Sequence, residues 1–303
     1  MSTARVRTPL MSAGAVAAIL ILTQLVMRRE GGTPPAILVL GVVVGLLNGL
    51  VATGLILIYR NARIINFAHS AMGALGGSFT FYLVTLNNWP FLIAFVLGIA
   101  VSALVGLFVE VGVIRRFFHA PRLAVTVLTI ALAAVIVGFN DTFVARLPIF
   151  PEDVSILDLS KPIRLPFPNF KFRLFDLPLD FGFGHVFSFV MSVAALLGLG
   201  FFLRYTRAGV AVRASAENAE RAELLGISVR ALSTLVWTIA GTLAGLGVIL
   251  TASVTQFSSV AGLAPAALVP ALAAGVIGRM RSLPVAIGTS VGLSVIQQAV
   301  RWS

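Results

Sequence analysis

Residues 204–230 read RYTRAGVAVRASAENAERAELLGISVR, a polar stretch between two long apolar runs. Charged residues make up only 11% of the chain, yet this stretch holds eight of them: Arg204, Arg207, Arg213, Glu217, Glu220, Arg221, Glu223 and Arg230. Both flanking runs are long enough to cross a bilayer as a helix. A charged stretch of this length between two such runs predicts a segment that leaves the membrane and makes a contact outside it.

The composition is that of a polytopic membrane protein. The hydrophobic fraction is 58% and the mean hydropathy is +1.02, which is more apolar surface than a soluble domain of 303 residues can bury. Gly, Pro and Arg separate the apolar runs, and this favours helices over the alternating pattern of an outer-membrane barrel. We therefore predict an all-α, polytopic transmembrane bundle of about eight or nine spans.

Charge and residue usage exclude several classes of function. The net charge of +11 is explained by arginines that orient membrane spans, so we expect no nucleic-acid partner. The chain has no cysteine, which excludes disulfides and thiol nucleophiles, and His69, His119 and His185 do not have the spacing of metal ligands. We expect no catalytic residue and no metal, and an intramembrane enzyme has little support.

The apolar runs predict nine spans, at about 10–27, 36–59, 71–86, 91–114, 123–142, 186–203, 231–252, 265–277 and 283–300. The first run is long and lacks a clear cleavage site, so residues 1–35 are predicted to be a retained extra span and turn before the main domain at 36–303. The eighth span is predicted to be short and broken by proline. Alternation at Phe170–Leu174 predicts a short strand within a long loop at 148–184.

The arginine and lysine residues predict the orientation. With the N-terminus inside, most of them lie on the cytoplasmic side, which makes residues 204–230 cytoplasmic and the 148–184 loop external. Glu110 and Asp141 lie near the ends of spans, and we expect both carboxylates to be solvated.

The central stretch has the composition of a short surface helix. Residues from about Gly209 to Leu225 are good helix formers, and Gly226 is a natural C-terminal stop. Leu224 and Leu225 add an apolar end. This pattern fits either a solvated connector or a docking helix for a cytoplasmic protein.

Two faces of that helix are predicted. Arg213, Glu217 and Arg221 stand four apart and predict a charged stripe with favourable pairs. Three alanines predict a second face that is small enough for a partner to approach: Ala216, Ala219 and Ala222.

Residues 213–227 read RASAENAERAELLGI, and the span at residues 48–59 is followed by RIINFAH at residues 63–69. The first block resembles the cytoplasmic loop of ABC-importer permeases of the branched-chain amino acid (LivH-type) family, and the second resembles the first conserved span and INFAH motif of that family. A weaker third block is Ser282-Leu283-Pro284 with Ala286 and Gly288. Together the blocks extend over about residues 45–292.

The resemblance implies a set of partners. It implies a second permease subunit in a homo- or heterodimer, two cytoplasmic ATP-binding subunits, an external solute-binding protein and the lipid bilayer of a bacterial plasma (inner) membrane. ATP would be bound by the partner subunits, so this chain itself would need no cofactor. In agreement, the sequence has no Gly-rich phosphate loop ending in Lys-Ser or Lys-Thr.

In this family the loop that matches residues 213–227 is the coupling helix, which lies in a groove of the ATPase. The residues that carry this role over by resemblance are Arg213, Ala216, Glu217, Asn218, Glu220, Ala222, Leu225 and Gly226. The solute implied is a branched-chain or other hydrophobic amino acid, with urea or a short amide as an alternative. An ATP-independent secondary transporter or channel is the alternative of another class, but it predicts mid-span carboxylates or histidines, which are nearly absent.

The chain departs from the family pattern at three places. The family usually has Gly-Asp after INFAH, where this chain has Ser70 and Ala71. The span at residues 10–27 is an addition. The chain stops at Ser303, where the family normally has one more span, so it is expected to be either a short member or half of a longer fused permease.

Five polar or aromatic residues are candidates to line a substrate pathway: Asn48, Asn66, Phe67, His69 and Gln256. The alternative for Asn66, Phe67 and His69, which we favour, is that they fix a tight turn at the cytoplasmic surface, with His69 bonded to backbone. Asn48 and Gln256 are the better pathway candidates by depth, although each would equally suit a buried interhelical hydrogen bond.

Overall fold

The computed structural model describes residues 34–117, 120–142, 147, 171–173, 180–254 and 260–302. The helices are α1 (Pro35–Ala62), α2 (His69–Thr85), α3 (Phe91–Phe108), α4 (Arg122–Thr142), α5 (Phe183–Tyr205), α6 (Arg207–Glu217), α7 (Ala219–Leu224), α8 (Val229–Val254), α9 (Val260–Ile277) and α10 (Leu283–Trp302). Helix α3 continues through a π-helical turn, Val109–Val113, and a 3-10 turn, Ile114–Phe117. Strands β1 (Lys171–Arg173) and β2 (Asp180–Gly182) precede α5.

Six helical segments are long and apolar enough to cross a membrane: Pro35–Ala62, Phe91–Phe117, Arg122–Asn140, Phe183–Tyr205, Val229–Val254 and Leu283–Trp302. Helix α2 has only 17 residues, and the apolar stretch Ala264–Ile277 of α9 is also shorter than the six. These eight helices coincide with the predicted spans from the second to the ninth. The prediction of a polytopic helical bundle is confirmed.

Helix α9 differs from its prediction as a span broken by proline. It is helical from Val260 to Ile277, with Pro265 and Pro270 inside it. A proline removes one backbone hydrogen bond, but a membrane helix tolerates that loss when neighbouring helices pack around it. Helix α9 lies against α1, α2 and α10, so the packing keeps it continuous.

Helices α1 and α10 pack antiparallel through a row of glycines on α1. A Cβ added to Gly45 would lie 2.5 Å from the Cα of Val291, so no larger residue fits without a shift of the backbone. The three facing pairs run in opposite directions along the two helices: Gly41 with Val295, Gly45 with Val291 and Gly49 with Ile287. Small residues at this spacing let two membrane helices approach closely.

Helix α8 forms the second half of the core. It packs against α1, α2 and α3, and its Trp237 is fully buried. A Cβ on Gly73 of α2 would lie 2.9 Å from the Cβ of Ala244. The small residues of the third predicted span thus let α2 approach α8 at Gly73 and Gly77 and α3 at Gly76, a close approach that their composition predicts.

The strand predicted near residues 170–174 is confirmed. It pairs with β2 in the register Lys171 with Gly182, Phe172 with Phe181 and Arg173 with Asp180. Most of the predicted 148–184 loop, and the predicted span at residues 10–27, lie outside the described residues. The proposed boundary between 1–35 and 36–303 remains a prediction, and α1 begins at Pro35.

Candidate functional site

The polar stretch forms two helices rather than the single one predicted from Gly209 to Leu225. We call residues 206–226, which include α6 and α7, the connector. The helix breaks at Asn218, whose φ of −153° and ψ of 106° are extended. The Asn218 side chain accepts a hydrogen bond of 3.0 Å from the Arg221 amide and caps α7. Asparagine is a poor interior helix residue and a strong N-cap, which explains the break.

The first end of the connector is a tight corner against α5. Thr206 Oγ1 accepts a hydrogen bond of 3.0 Å from the Gly209 amide and caps α6. A Cβ at Gly209 would lie 2.7 Å from the Cα of Leu203, so only glycine lets α6 fold back this closely. Helix α6 is thus fixed to the end of α5.

The other end of the connector is a glycine stop, as predicted. Gly226 has a φ of 78°, and its amide donates to the Glu223 carbonyl at 2.9 Å. The Ile227 amide donates to the Ala222 carbonyl at 3.0 Å. These two bonds form a Schellman motif, which ends α7 and turns the chain toward α8.

Two of the three alanines of the predicted face point inward, which corrects the role predicted for them. Ala216 and Ala222 are 9% and 2% exposed, whereas Ala219 is exposed. The small side chains of Ala216 and Ala222 let α6 and α7 lie close to their own bundle, where α6 contacts α1, α5 and α8. Neither residue is available to a partner in this arrangement.

The exposed face of the connector is charged and ends in two leucines. Leu224 and Leu225 are 87% and 78% exposed. The polar residues exposed beside them are Glu217, Asn218, Glu220, Arg221 and Glu223. The connector therefore exposes an apolar tip, Leu224 and Leu225, which is surrounded mostly by acidic side chains.

The predicted charged stripe does not form ion pairs. Among the described residues, the ion pair within 4.0 Å is that of Arg115 with Glu110, and it involves no connector residue. The break at Asn218 removes Arg221 from the helix that carries Arg213 and Glu217. The Glu217 carboxylate instead lies within electrostatic reach of Arg60, at the end of α1.

Arg63 joins α1 to the connector. Its Nη2 donates a hydrogen bond of 2.9 Å to the carbonyl oxygen of Ala216, in the last turn of α6. Arg63 follows α1 with a left-handed φ of 56°, so the chain changes direction at this residue. The carbonyls of a last helical turn have no partner within their own helix, and the guanidinium supplies one.

Asn66, Phe67 and His69 form the turn between α1 and α2. Asn66 Oδ1 accepts from the Ala68 amide at 3.0 Å, and His69 Nε2 lies 3.0 Å from the carbonyl oxygen of Val51. The Phe67 amide donates to Thr129 Oγ1 at 3.0 Å. These hydrogen bonds agree with the favoured interpretation of the three residues as turn-fixing, with His69 bonded to backbone, and their role in a substrate pathway stays a prediction.

The depth of this turn differs from the prediction, which placed it at the surface. Val51 lies about three turns before the end of α1, or about 16 Å along its axis. Thr129 lies about two turns inside α4. The chain therefore re-enters the bundle between Arg63 and Ala68, and we call these residues the re-entrant turn. Asn66 and His69 are both 0% exposed there, so this irregular backbone is enclosed by protein.

Asn48 forms the buried interhelical hydrogen bond that is one of its two predicted roles, and its role in a pathway stays a prediction. Its Nδ2 donates to Ser294 Oγ at 3.1 Å and joins α1 to α10 inside the core. Gln256, the other candidate by depth, lies outside the described residues.

Glu110 is buried, which overturns the expectation that it is solvated. It is 3% exposed and forms an ion pair of 2.9 Å with Arg115, while Thr234 Oγ1 donates to the same carboxylate at 2.9 Å. The π-helical turn Val109–Val113 contains Glu110, and its wider turn, with hydrogen bonds from residue i to i+5, brings Glu110 and Arg115 onto the same side of the helix. In a regular α-helix residues five apart lie about 140° apart around the axis, so their spacing does not predict this pair. The side chain of Asp141 lies outside the described residues.

Comparisons with known proteins agree with the resemblance. The family model described as the permease component of branched-chain amino acid transport systems matches residues 37–302. A probable branched-chain amino acid transport permease protein LivH of Methanocaldococcus jannaschii is 30% identical over 201 residues, which are 65% of this chain and 59% of that protein. The matched part is thus less than two thirds of this relative's length. No solved structure matches the chain significantly.

Two bacterial relatives cover more of the chain. The high-affinity branched-chain amino acid transport permease LivH of Escherichia coli is 26% identical over 228 residues, covering 69% of this chain and 68% of that protein. The corresponding BraD of Pseudomonas aeruginosa is 26% identical over 257 residues, covering 82% and 80%.

Proposed function

This chain belongs to the family of branched-chain amino acid transport permeases and is a multi-pass inner-membrane protein, and we propose that it is the permease subunit of an ATP-driven ABC importer. In this proposal it pairs with a second permease subunit and receives two cytoplasmic ATP-binding subunits and an external solute-binding protein. In this proposal the chain is not an enzyme, and ATP is bound by the partner subunits.

The observation that carries the proposal is the exposed tip of the connector. Leu224 and Leu225 project from the end of the bundle that also holds Arg63 and Arg115. Two adjacent leucines that are 87% and 78% exposed have a lower free energy in an apolar pocket of another protein than in water. Membrane lipid does not explain them, because the residues around them are charged.

The exposed charges beside this tip indicate the chemistry of the partner surface. Glu217, Glu220 and Glu223 are exposed beside this tip together with Arg221, while the exposed Arg207 lies at the opposite end of α6. We therefore propose that the ATP-binding subunit presents an apolar pocket with a basic rim. Four of the coupling residues implied by resemblance touch the partner in this proposal: Glu217, Asn218, Glu220 and Leu225. Three others support the connector from the side that faces the bundle: Ala216, Ala222 and Arg213.

The proposed solute is a branched-chain or similar hydrophobic amino acid. Support comes from the names of the relatives and from a core in which the described spans carry few charges. In competition with radiolabelled leucine uptake, excess isoleucine and valine are expected to inhibit. Inhibition by urea or acetamide instead would redirect the assignment to the alternative solute class.

The test of the proposed docking is co-purification. The chain is co-expressed with the ATP-binding subunits of its own gene neighbourhood, either unchanged or with Leu224→Asp and Leu225→Asp together. The aspartates place charge at the centre of an apolar contact, so association is expected to weaken at least about tenfold.

The matched control replaces both leucines by methionine, which conserves volume and apolarity. This control is expected to retain the ATP-binding subunits. Equal recovery of the subunits with the aspartate variant and the methionine variant would contradict docking at the connector tip.

A further inference from the structure

Arg63 lies at the junction of the connector and the re-entrant turn. Its guanidinium binds the last turn of α6 through the Ala216 carbonyl at 2.9 Å, and its backbone begins the re-entrant turn. Among the described residues, this is the side-chain hydrogen bond that joins the connector to the end of the membrane helix α1. The bond links residues 153 positions apart in the sequence.

Helix α6 is held at both of its ends. Thr206 caps its start, and the close approach of Gly209 to Leu203 fixes it to α5. At its other end the Ala216 carbonyl is held by Arg63. Helix α7 begins beyond the extended residue Asn218. A displacement of the connector tip that moves α6 moves the Ala216 carbonyl, and because this carbonyl is bonded to Arg63, the guanidinium moves with it.

The re-entrant turn connects Arg63 to three membrane helices. The Phe67 amide is bonded to Thr129 of α4, and His69 at the start of α2 is bonded to Val51 of α1. The side chains of Asn66 and His69 are fully buried, so a displacement of the turn also displaces the side chains packed around it. Close-packed interiors transmit such shifts to their neighbours.

We propose that Arg63 is a positioning residue that transmits movement of the connector to the re-entrant turn, and through it to α1, α2 and α4. The inference rests on the proposed function, since the movement starts when an ATP-binding subunit acts on the connector. Arg63 does not contact ATP or solute in this account. It acts through the Ala216 carbonyl on one side and the turn backbone on the other.

The left-handed backbone of Arg63 permits a clean variant. Glycine adopts a φ of 56° at no steric cost, so Arg63→Gly removes the guanidinium and leaves the turn favoured. Arg207→Gly is the matched control, because it removes the same charge from the exposed opposite end of α6. Thermal unfolding of both variants should occur at or near the temperature of the unchanged protein.

The experiment measures amide hydrogen exchange over residues 63–72 in the assembled complex with its ATP-binding subunits. Exchange is compared between the nucleotide-free complex and the complex trapped with ATP and vanadate. In the unchanged protein and in Arg207→Gly, trapping is expected to change exchange in this segment. In Arg63→Gly the change is expected to be lost, while co-purification and ATP hydrolysis persist.

Two outcomes would overturn the inference. One is that trapping changes hydrogen exchange of residues 63–72 in Arg63→Gly as much as in the unchanged protein. The other is that trapping does not change exchange of this segment in the unchanged protein. Failure of the proposed function is a separate result, because no ATP-binding subunit would then co-purify with the unchanged chain. Neither result requires the identity of the solute.

Discussion

His69 Nε2 donates a hydrogen bond of 3.0 Å to the carbonyl oxygen of Val51, although Val51 lies about three helical turns before the end of α1. This bond fixes the start of α2 deep in the bundle instead of at its surface. The buried polar turn that results is enclosed by α1, α2 and α4, which is the condition under which irregular backbone is tolerated in a membrane protein.

The contact of Gly54 with His69 predicts a specific double-mutant result. A Cβ on Gly54 would lie 2.8 Å from the His69 ring, so Gly54→Ala is expected to destabilise the protein by about 1–3 kcal/mol. His69→Ala removes the ring and should relieve the overpacking in the double variant. Thermal unfolding in detergent measures this, with Gly198→Ala as control because nothing lies within 4 Å of its Cβ position. Strictly additive losses would contradict the contact.

Mutation of the two partners of the Asn48–Ser294 hydrogen bond distinguishes a structural role of Asn48 from a role in the substrate pathway. If Asn48 joins α1 to α10, Asn48→Ala and Ser294→Ala should each cost about 0.6–1.7 kcal/mol, and the double variant should cost less than their sum. Unfolding measurements on the four proteins test this. Loss of transport in Asn48→Ala without loss of stability would instead place Asn48 on the pathway.

The Glu110 network predicts a loss of stability at the end of α3. Glu110→Gln removes the carboxylate charge that pairs with Arg115 and that accepts a hydrogen bond from the Thr234 hydroxyl. Because Arg115 is 39% exposed, the expected cost is about 1–2 kcal/mol, less than for a fully buried pair. A lower unfolding temperature than that of Glu223→Gln, which alters an exposed carboxylate, would agree. Equal temperatures for the two variants would show that the buried pair adds nothing.

The break at Asn218 predicts a change in docking. Asn218→Ala removes the cap of α7, at a cost of about 0.5–2 kcal/mol, and favours one continuous helix. That helix would turn Leu224 and Leu225 away from their present direction, so co-purification of the ATP-binding subunits should fall. Asn218→Asp keeps a strong cap and should retain them. Full retention by the alanine variant would show that the break is not needed.

The sequence predicts the spans well because hydropathy decides them. The second to ninth predicted spans coincide with helices, and the Gly226 stop follows from its unique backbone freedom. The polar composition of residues 204–230 also predicts that the connector is not one of the spans, and neither α6 nor α7 is among the helices long and apolar enough to cross a membrane.

The remaining features depend on contacts that have no local signal. The inward direction of Ala216 and Ala222 is set by packing on distant helices, and the burial of Glu110 depends on Thr234, 124 positions away. The re-entrant turn requires Val51 and Thr129 as partners for residues of the INFAH motif. Sequence spacing alone shows none of these pairs.

The most direct test of the central claim is uptake of radiolabelled leucine into proteoliposomes that contain the complete complex, with the ATP-binding subunits accessible to added ATP. The account predicts accumulation against a gradient only when the ATP-binding subunits, the solute-binding protein and ATP are all present. Uptake by this chain alone, without ATP or an ATP-binding subunit, would contradict it and indicate an ATP-independent transporter or channel.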